Sequence, residues 1–175
     1  MISKVHTTGV QLRRPAPEDK DKIFRWMQSP HLRKMIGTRS CPTEEGHALW
    51  FQRKCEDTSN EFLMLTYEGE SVGIIGTNVI DTHHRNGEIY LYIGDDSHRG
   101  KGIGRSGIQL FLRYLQEKYG IHKAYARIFS FNAPSVKLFE SVGFVQEGIQ
   151  KEQIWTEEGF YDLLWYGYIL HKAEE

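Results

Sequence analysis

The residues whose types and spacing point most directly to chemistry are Arg99-Gly100-Lys101-Gly102-Ile103-Gly104. Glycines let the backbone come close to a ligand and take positive φ where a turn needs it, and Arg99 and Lys101 add positive charge. An apolar run, Ile89 to Ile93, precedes the stretch, and a helical pattern, Ile108 to Tyr119, follows it. Strand, glycine-rich turn and helix start together make a cradle for phosphate. The first N–H groups of a helix lack intrahelical acceptors, and the helix dipole favours an anion there. Gly102, Gly104 and Gly107 also satisfy G-x-G-x-x-G, the dinucleotide fingerprint. That fingerprint wants an acidic residue about 20 positions on; the strand there has none, and Arg127 stands near the place. No Lys-Ser/Thr follows the glycines, so a P-loop fails. A purely structural glycine turn is the remaining alternative.

These residues need elements to position them. Val10 to Arg14 alternates like a strand and stops at Pro15 and Pro17. Glu18 to Gln28 has a helical pattern, and Thr43 is an N-cap candidate for a second helix carrying His47, Trp50, Phe51 and Lys54 on one stripe. Three strands follow, Glu61 to Tyr67, Val72 to Ile80 and Gly87 to Ile93, the first two joined by a tight turn at Glu68-Gly69-Glu70. After the glycine stretch and its helix, which Gly120 ends, Lys123 to Phe129 forms a strand able to return parallel to Ile89–Ile93. A short helix, Pro134 to Val142, and a closing hairpin, Phe144 to Ile154 with Phe160 to Leu170, complete the order. The expected result is one α/β domain over residues 1–175, with helices covering a twisted sheet.

Composition narrows the function classes. A net charge of −1 argues against general nucleic-acid binding, which needs a basic surface. No apolar run reaches the roughly 18–20 residues of a membrane span, and no signal-peptide core is visible. Two cysteines, Cys41 and Cys55, make no disulfide framework, so a cytoplasmic setting is expected. Cys41, His47 and Cys55 lack close metal-ligand spacing, and His83-His84 sits in a polar loop, so no metal is expected.

Arg99, Gly102 and Gly104 form Arg-x-x-Gly-x-Gly. Together with Asn132-Ala133-Pro134-Ser135 running into Glu140-Ser141-Val142-Gly143-Phe144, they resemble the two signatures of the GNAT family of N-acetyltransferases. The resemblance covers about Val10 to Leu170 and includes the order of elements. It implies the GNAT fold: a mixed, mostly antiparallel twisted sheet whose central parallel pair splays to hold acetyl-CoA, with helices on both faces. It implies transfer of an acetyl group from acetyl-CoA to an amine. Tyr92, Ile93 and Gly94 would pair with the pantetheine arm, with a backbone N–H there facing the thioester oxygen. Arg99, Gly100, Lys101, Gly102, Ile103 and Gly104 would hold the pyrophosphate. Asn132 and Ser135 would contact the cofactor from the other side of the slot, and Phe139 would pack along it.

The family's usual acid, a Tyr seven residues after the Asn, is Phe139 here, which has no proton to give. Tyr161 is a substitute candidate. For the base, Glu88 is the first candidate, on the face shared by residues 88, 90 and 92. The family's other base position is Arg127, which cannot serve, and a water wire is the alternative to Glu88. Trp26, His47 and Trp50 are candidates for the acceptor side, or else core residues. The first two helices resemble the bacterial branch that acetylates amino-sugar nucleotides, and also the ribosomal-protein and spermidine acetyltransferases. A small-molecule amine, with an amino-sugar nucleotide first, is the expected acceptor. A non-catalytic acetyl-CoA sensor is the competing class. A homodimer is a family-level expectation, with Trp155, Trp165 and Tyr168 as exposed candidates for its interface.

Overall fold

The computed structural model describes residues 9–171. Its strands are β1 (Val10–Arg13), β2 (Phe62–Tyr67), β3 (Glu70–Asp81), β4 (Asn86–Ile93), β5 (Lys123–Phe129), β6 (Val145–Thr156) and β7 (Gly159–Ile169). The helices are α1 (Asp19–Met27), α2 (Pro30–Ile36), α3 (Glu44–Glu56), α4 (Ile103–Tyr119) and α5 (Ala133–Val142). The strands form one seven-stranded mixed sheet in the order β1-β2-β3-β4-β5-β7-β6. The chain divides into two units. One takes in the chain up to Gly76 with Leu91–Leu110; the other takes in Thr77–Tyr90 with the chain from Phe111 on.

In the first unit, β1 and β2 pair antiparallel with Leu12 opposite Leu65, and β2 pairs antiparallel with β3. Glu68 and Gly69 turn between them at φ 50° and 84°, the double positive φ of a type I′ hairpin. Ile23, Trp26 and Met27 bury one face of α1. Val10, Leu65, Val72 and Ile103 make a core cluster with Leu12, Tyr67, Leu91, Ile93 and Leu110 packed against it. As expected, Thr43 caps α3, its hydroxyl accepting from Gly46 N–H at 3.1 Å.

A polar knot ties β1, α1 and β3 together. Asp19 is 3% exposed. Its carboxylate accepts both Arg13 Nη groups at 2.6 and 2.8 Å, Ala16 N–H at 2.8 Å and the Ser71 hydroxyl at 3.0 Å. Burial pushes this carboxyl up, but the bonds from Arg13, Ala16 and Ser71 and the Arg13 charge outweigh it and hold it below the ordinary value.

Two elements depart from expectation. Helix α2 is absent from the elements expected above, although Leu32, Met35 and Ile36 stand at helical spacing; it is only seven residues long and Leu32 is its one buried residue. Its ends are nonetheless marked: Ser29 accepts from Leu32 N–H at 3.2 Å, Pro30 stands in the first turn and Gly37 closes the helix at φ 75°. Helix α4 starts at Ile103, five residues before the expected Ile108. Glycine disfavours a helix interior by about 1 kcal/mol, so Gly104 and Gly107 hide the start. Packing explains Gly107: a Cβ there would lie 2.8 Å from Leu65 Cδ1.

In the second unit, β4 and β5 run parallel, with Asn86, Gly87 and Glu88 opposite Lys123, Ala124 and Tyr125. β5 pairs antiparallel with β7 from Lys123↔Ile169 to Phe129↔Leu163, and β6–β7 is the closing hairpin. Of its expected exposed aromatics only Trp155 is exposed, at 66%. Trp165 is half-buried because its ring stacks on Tyr125, and Tyr168 because its ring packs on Phe144. Phe160, at 63%, is the exposed aromatic that the pattern missed. Cys41 and Cys55 are free thiols. Among the described residues no helix is long and apolar enough to cross a membrane.

Candidate functional site

In the first unit, the chain leaves β4 through Gly94, makes a 3-10 turn at Asp96–His98, and enters α4. Gly100 and Gly102 both sit at φ +75°, the left-handed region, and a Cβ on either would meet nothing within 4 Å. The space above both glycines is therefore open to a ligand. Helix α4 begins immediately after: Ser106 N–H and Oγ–H both donate to Gly102 O, at 3.1 and 3.0 Å. The N–H groups of Ile103, Gly104 and Arg105 precede that first helical bond and have no helical acceptor one turn back. Lys101 is exposed, and Arg99 pairs with Asp96 at 3.0 Å. This cradle of open glycines, helix start and cations fits a phosphate or pyrophosphate.

The end of β4 is held by close backbone packing. A Cβ on Gly73 would collide with Tyr92 O, and one on Gly94 would collide with the Trp26 ring. Gly94 N–H donates to Val72 O at 2.9 Å. Trp26 meets Tyr92 edge to face at 6.5 Å. Trp26 and Gly94 also line an open cleft of about 500 Å³ with Lys22, Arg25, Asp95 and Arg99. Glu70 and Asp96, which border it too, are matched by Lys22 at 2.9 Å and Arg99 at 3.0 Å. Bonds from the Ser97 backbone N–H and hydroxyl hold the Asp95 carboxyl below its ordinary value. Among the described residues of this cleft, Arg25 is a cation whose side chain makes no hydrogen bond or ion pair.

His47 and Trp50 stand apart from the cleft. His47 is buried, its Nε2 lies 2.9 Å from Lys20 O, and its ring packs between Phe24 at 5.2 Å and Trp50 at 5.3 Å. Trp50 turns its edge to Phe62. Their shared helical stripe serves packing of α3.

The second unit brings Glu88 to Arg127, a pairing the sequence reading did not make. Glu88 is 5% exposed. Its Oε1 accepts from Asn78 Nδ2 and Arg127 Nε, both at 2.9 Å. The Arg127 guanidinium lies 5.7 Å from the Trp165 ring centroid, and Trp165 stacks on Tyr125 at 5.7 Å. Burial, then the Glu88 charge, raises the Tyr125 hydroxyl pKa, with Arg127 opposing. The parallel register that sets Glu88 opposite Tyr125, two residues from Arg127, is a tertiary fact.

The other candidates of this unit have local roles. Asn132 caps α5, accepting from Ser135 N–H at 3.2 Å. Phe139 is 3% exposed and edge-on to Phe144 at 4.9 Å. Tyr161 donates its hydroxyl to Glu158 at 3.3 Å and rests on Phe131.

Residues 10–145 match the family model for the acetyltransferase (GNAT) domain. The chain is 29% identical over 160 residues to an SPβ prophage-derived uncharacterized N-acetyltransferase of Bacillus subtilis (strain 168), covering 91% of this chain and 89% of that protein. Spermidine N-acetyltransferase from Vibrio cholerae, solved in complex with CoA and spermine, aligns at TM-score 0.84 and 20% identity. That alignment covers 92% of this chain and 95% of the other. The microcin C7 self-immunity acetyltransferase MccE, in complex with acetyl-CoA and AMP, aligns at TM-score 0.81 and 18% identity over 93% of both chains.

Proposed function

This chain belongs to the GNAT acetyltransferase family, and we propose that it moves the acetyl group of acetyl-CoA to the primary amine of a small anionic molecule, an amino-sugar nucleotide first. The observation that carries the donor is the Arg99–Gly104 turn, with its two left-handed glycines open above the start of α4. The Vibrio and microcin enzymes were solved with CoA and acetyl-CoA, which supports the same donor here. Arg99, Lys101 and the first N–H groups of α4 would hold the pyrophosphate. The Tyr92–Ile93 main chain would face the thioester oxygen, and Asn132 and Ser135 would contact the cofactor.

An amine with a pKa of about 8–10 arrives protonated, so it must lose a proton before its nitrogen can attack. Glu88 takes the first proton, the freed nitrogen then forms the new C–N bond as the C–S bond breaks, the second N–H proton leaves to water, and CoA departs as thiolate. A thiol pKa near about 8.5 lets water protonate that thiolate, so Phe139 costs the reaction little. Tyr161 is a weaker donor candidate, because its hydroxyl is engaged with Glu158.

For the acceptor, Trp26 is 7% exposed and forms part of the cleft wall. Arg25 offers a side-chain charge with no ion pair, Glu70 and Asp96 are matched by cations, and the Asp95 carboxylate is bonded to Ser97 N–H. A polyamine would want those carboxylates unmatched. The AMP bound in the microcin enzyme's structure supports a nucleotide-bearing acceptor as well.

The test is CoA release, followed with a thiol reagent, across amino-sugar nucleotides, polyamines and ribosomal-protein N-terminal peptides. Turnover of the sugar nucleotides is expected. Turnover of polyamines or peptides alone would overturn the acceptor. Tight acetyl-CoA binding with no release from any amine would leave a non-catalytic sensor. A second expectation concerns the turn. Alanine at Gly102 places an L residue in the left-handed region at a cost of about 1–2 kcal/mol, and KM for acetyl-CoA should rise roughly tenfold with the acceptor KM unchanged. Initial-rate kinetics in both substrates check it, and an unchanged donor KM would dismiss the cradle.

A further inference from the structure

We infer that Arg127 is a specificity-determining residue, reading an anionic group on the acceptor close to the amine that Glu88 receives. The inference rests on the acetyltransferase reading above and narrows its acceptor. It needs only residues of the second unit.

Arg127 uses one of its five N–H donors, Nε–H, on Glu88 Oε1 at 2.9 Å. Its Nη groups have no partner among the described residues, and its side chain is 42% exposed. A guanidinium left with a free fork is unusual beside a buried carboxylate, where a two-pronged pairing is the common geometry. Here Nε alone bonds Glu88, and the guanidinium carbon lies 5.7 Å from the Trp165 ring centroid. Trp165 is itself fixed by stacking on Tyr125 at 5.7 Å and 21°. Little freedom is lost when such a preorganised fork binds an oxyanion.

The chemistry of the pair selects its ligand. Glu88 attracts an ammonium, and Asn78 holds the same oxygen in place at 2.9 Å. Arg127 carries its charge at any working pH. A second cation on the acceptor would meet that charge and be repelled. A phosphate or carboxylate within about one sugar ring of the amine would gain charge-assisted bonds from the Nη pair. The class is an amine bearing a nearby oxyanion, and diamines and polyamines are disfavoured.

Matched amines test this in the full-length protein: glucosamine 1-phosphate against glucosamine, and serine against serinamide, with spermidine as the dication. The wild type should favour the anionic member of whichever pair it acetylates by about 10-fold or more in kcat/KM, the effect of one charge-assisted pair. Arg127→Gln should bring that ratio to about 1, and Arg127→Lys should restore part of it. A merely structural role for Arg127 would lower both members alike and leave the ratio standing. Equal turnover of the members by the wild type, preference for spermidine, or an unchanged ratio in Arg127→Gln would overturn the inference. If no amine is acetylated, the acetyltransferase reading fails, and calorimetric titration with glucosamine 1-phosphate decides the inference alone. Roughly tenfold weaker binding by Arg127→Gln would support it, and equal binding would overturn it.

Discussion

Replacing Glu88 by glutamine lowers kcat for acetyl transfer about 10²–10⁴-fold, the usual contribution of a positioned general base. The substitution is close to isosteric. A glutamine Oε1 can still accept from Asn78 Nδ2 and Arg127 Nε, the two groups that hold the carboxylate at 2.9 Å. The fold should therefore survive, with the loss confined to proton removal. Binding of acetyl-CoA should be unaffected, because the turn proposed to cradle its phosphates shares no residue with the Glu88 cluster. Steady-state kinetics, paired with a thermal melt and a donor titration, separate these outcomes. A loss under about threefold with an intact melt would assign proton removal to water, since a positioned base contributes far more, and leave Glu88 as an ion-pair partner for Arg127.

The largest effect on stability is expected at Asp19. Alanine there removes the acceptor of four donors at once: both Arg13 Nη groups, Ala16 N–H and the buried Ser71 hydroxyl, leaving Arg13 Nη2 only the Ser71 oxygen at 2.7 Å. Arg13 is 38% exposed and can turn to water, which limits the cost. Losing charged hydrogen bonds and stranding a buried hydroxyl gives about 3 kcal/mol, or a fall in Tm of about 6–12 °C for a chain of this size. The pH dependence has a definite sign. The folded carboxyl lies below its ordinary value of 3.8. Its stabilisation is therefore complete above that value and is lost as pH falls through the folded one. Melts from pH 7 down to pH 3 should show the gap between wild type and Asp19→Asn closing at the acid end. A gap of constant size, or no gap at neutral pH, would show that the knot contributes little.

Much of this architecture can be read from residue patterns, for identifiable reasons. Strands such as Phe62–Tyr67 and Lys123–Phe129 carry β-branched and aromatic residues between turn signals, and pairing only makes explicit what those runs need. The Arg99–Gly104 turn is legible because its chemistry is local: glycines, cations and a helix start lie within one short stretch. The start of α4 is not, because Gly104 and Gly107 look like helix breakers until Leu65 is seen to occupy the room a Cβ would take. Helix α2 differs: its caps are clear and Leu32, Met35 and Ile36 keep helical spacing, but seven residues are too few for the period to stand out.

The remaining omissions are contacts between residues far apart in sequence. Arg127 reads only as a residue unfit to be a base; that it grips Glu88 depends on a parallel register 37 positions apart, Asn86 against Lys123. Ser71 joins Asp19 across 52 positions. His47 and Trp50 do share a helical stripe, and that stripe alone does not tell a packed face from a binding one.

The way the chain is shared between its two units has a consequence for its synthesis. Neither unit is a continuous stretch: the first needs Leu91–Leu110 in addition to the chain up to Gly76, and the second has Thr77–Tyr90 set early and everything else after Phe111. A ribosome delivers the chain from its N-terminus, and domains generally fold as they emerge. The first unit therefore waits for Ile103 to join Val10, Leu65 and Val72 in its core. A fragment ending at Gly76 would expose those apolar side chains to water. Ile103, at the end of the glycine turn proposed to hold phosphate, is thus also a residue that lets the first unit close.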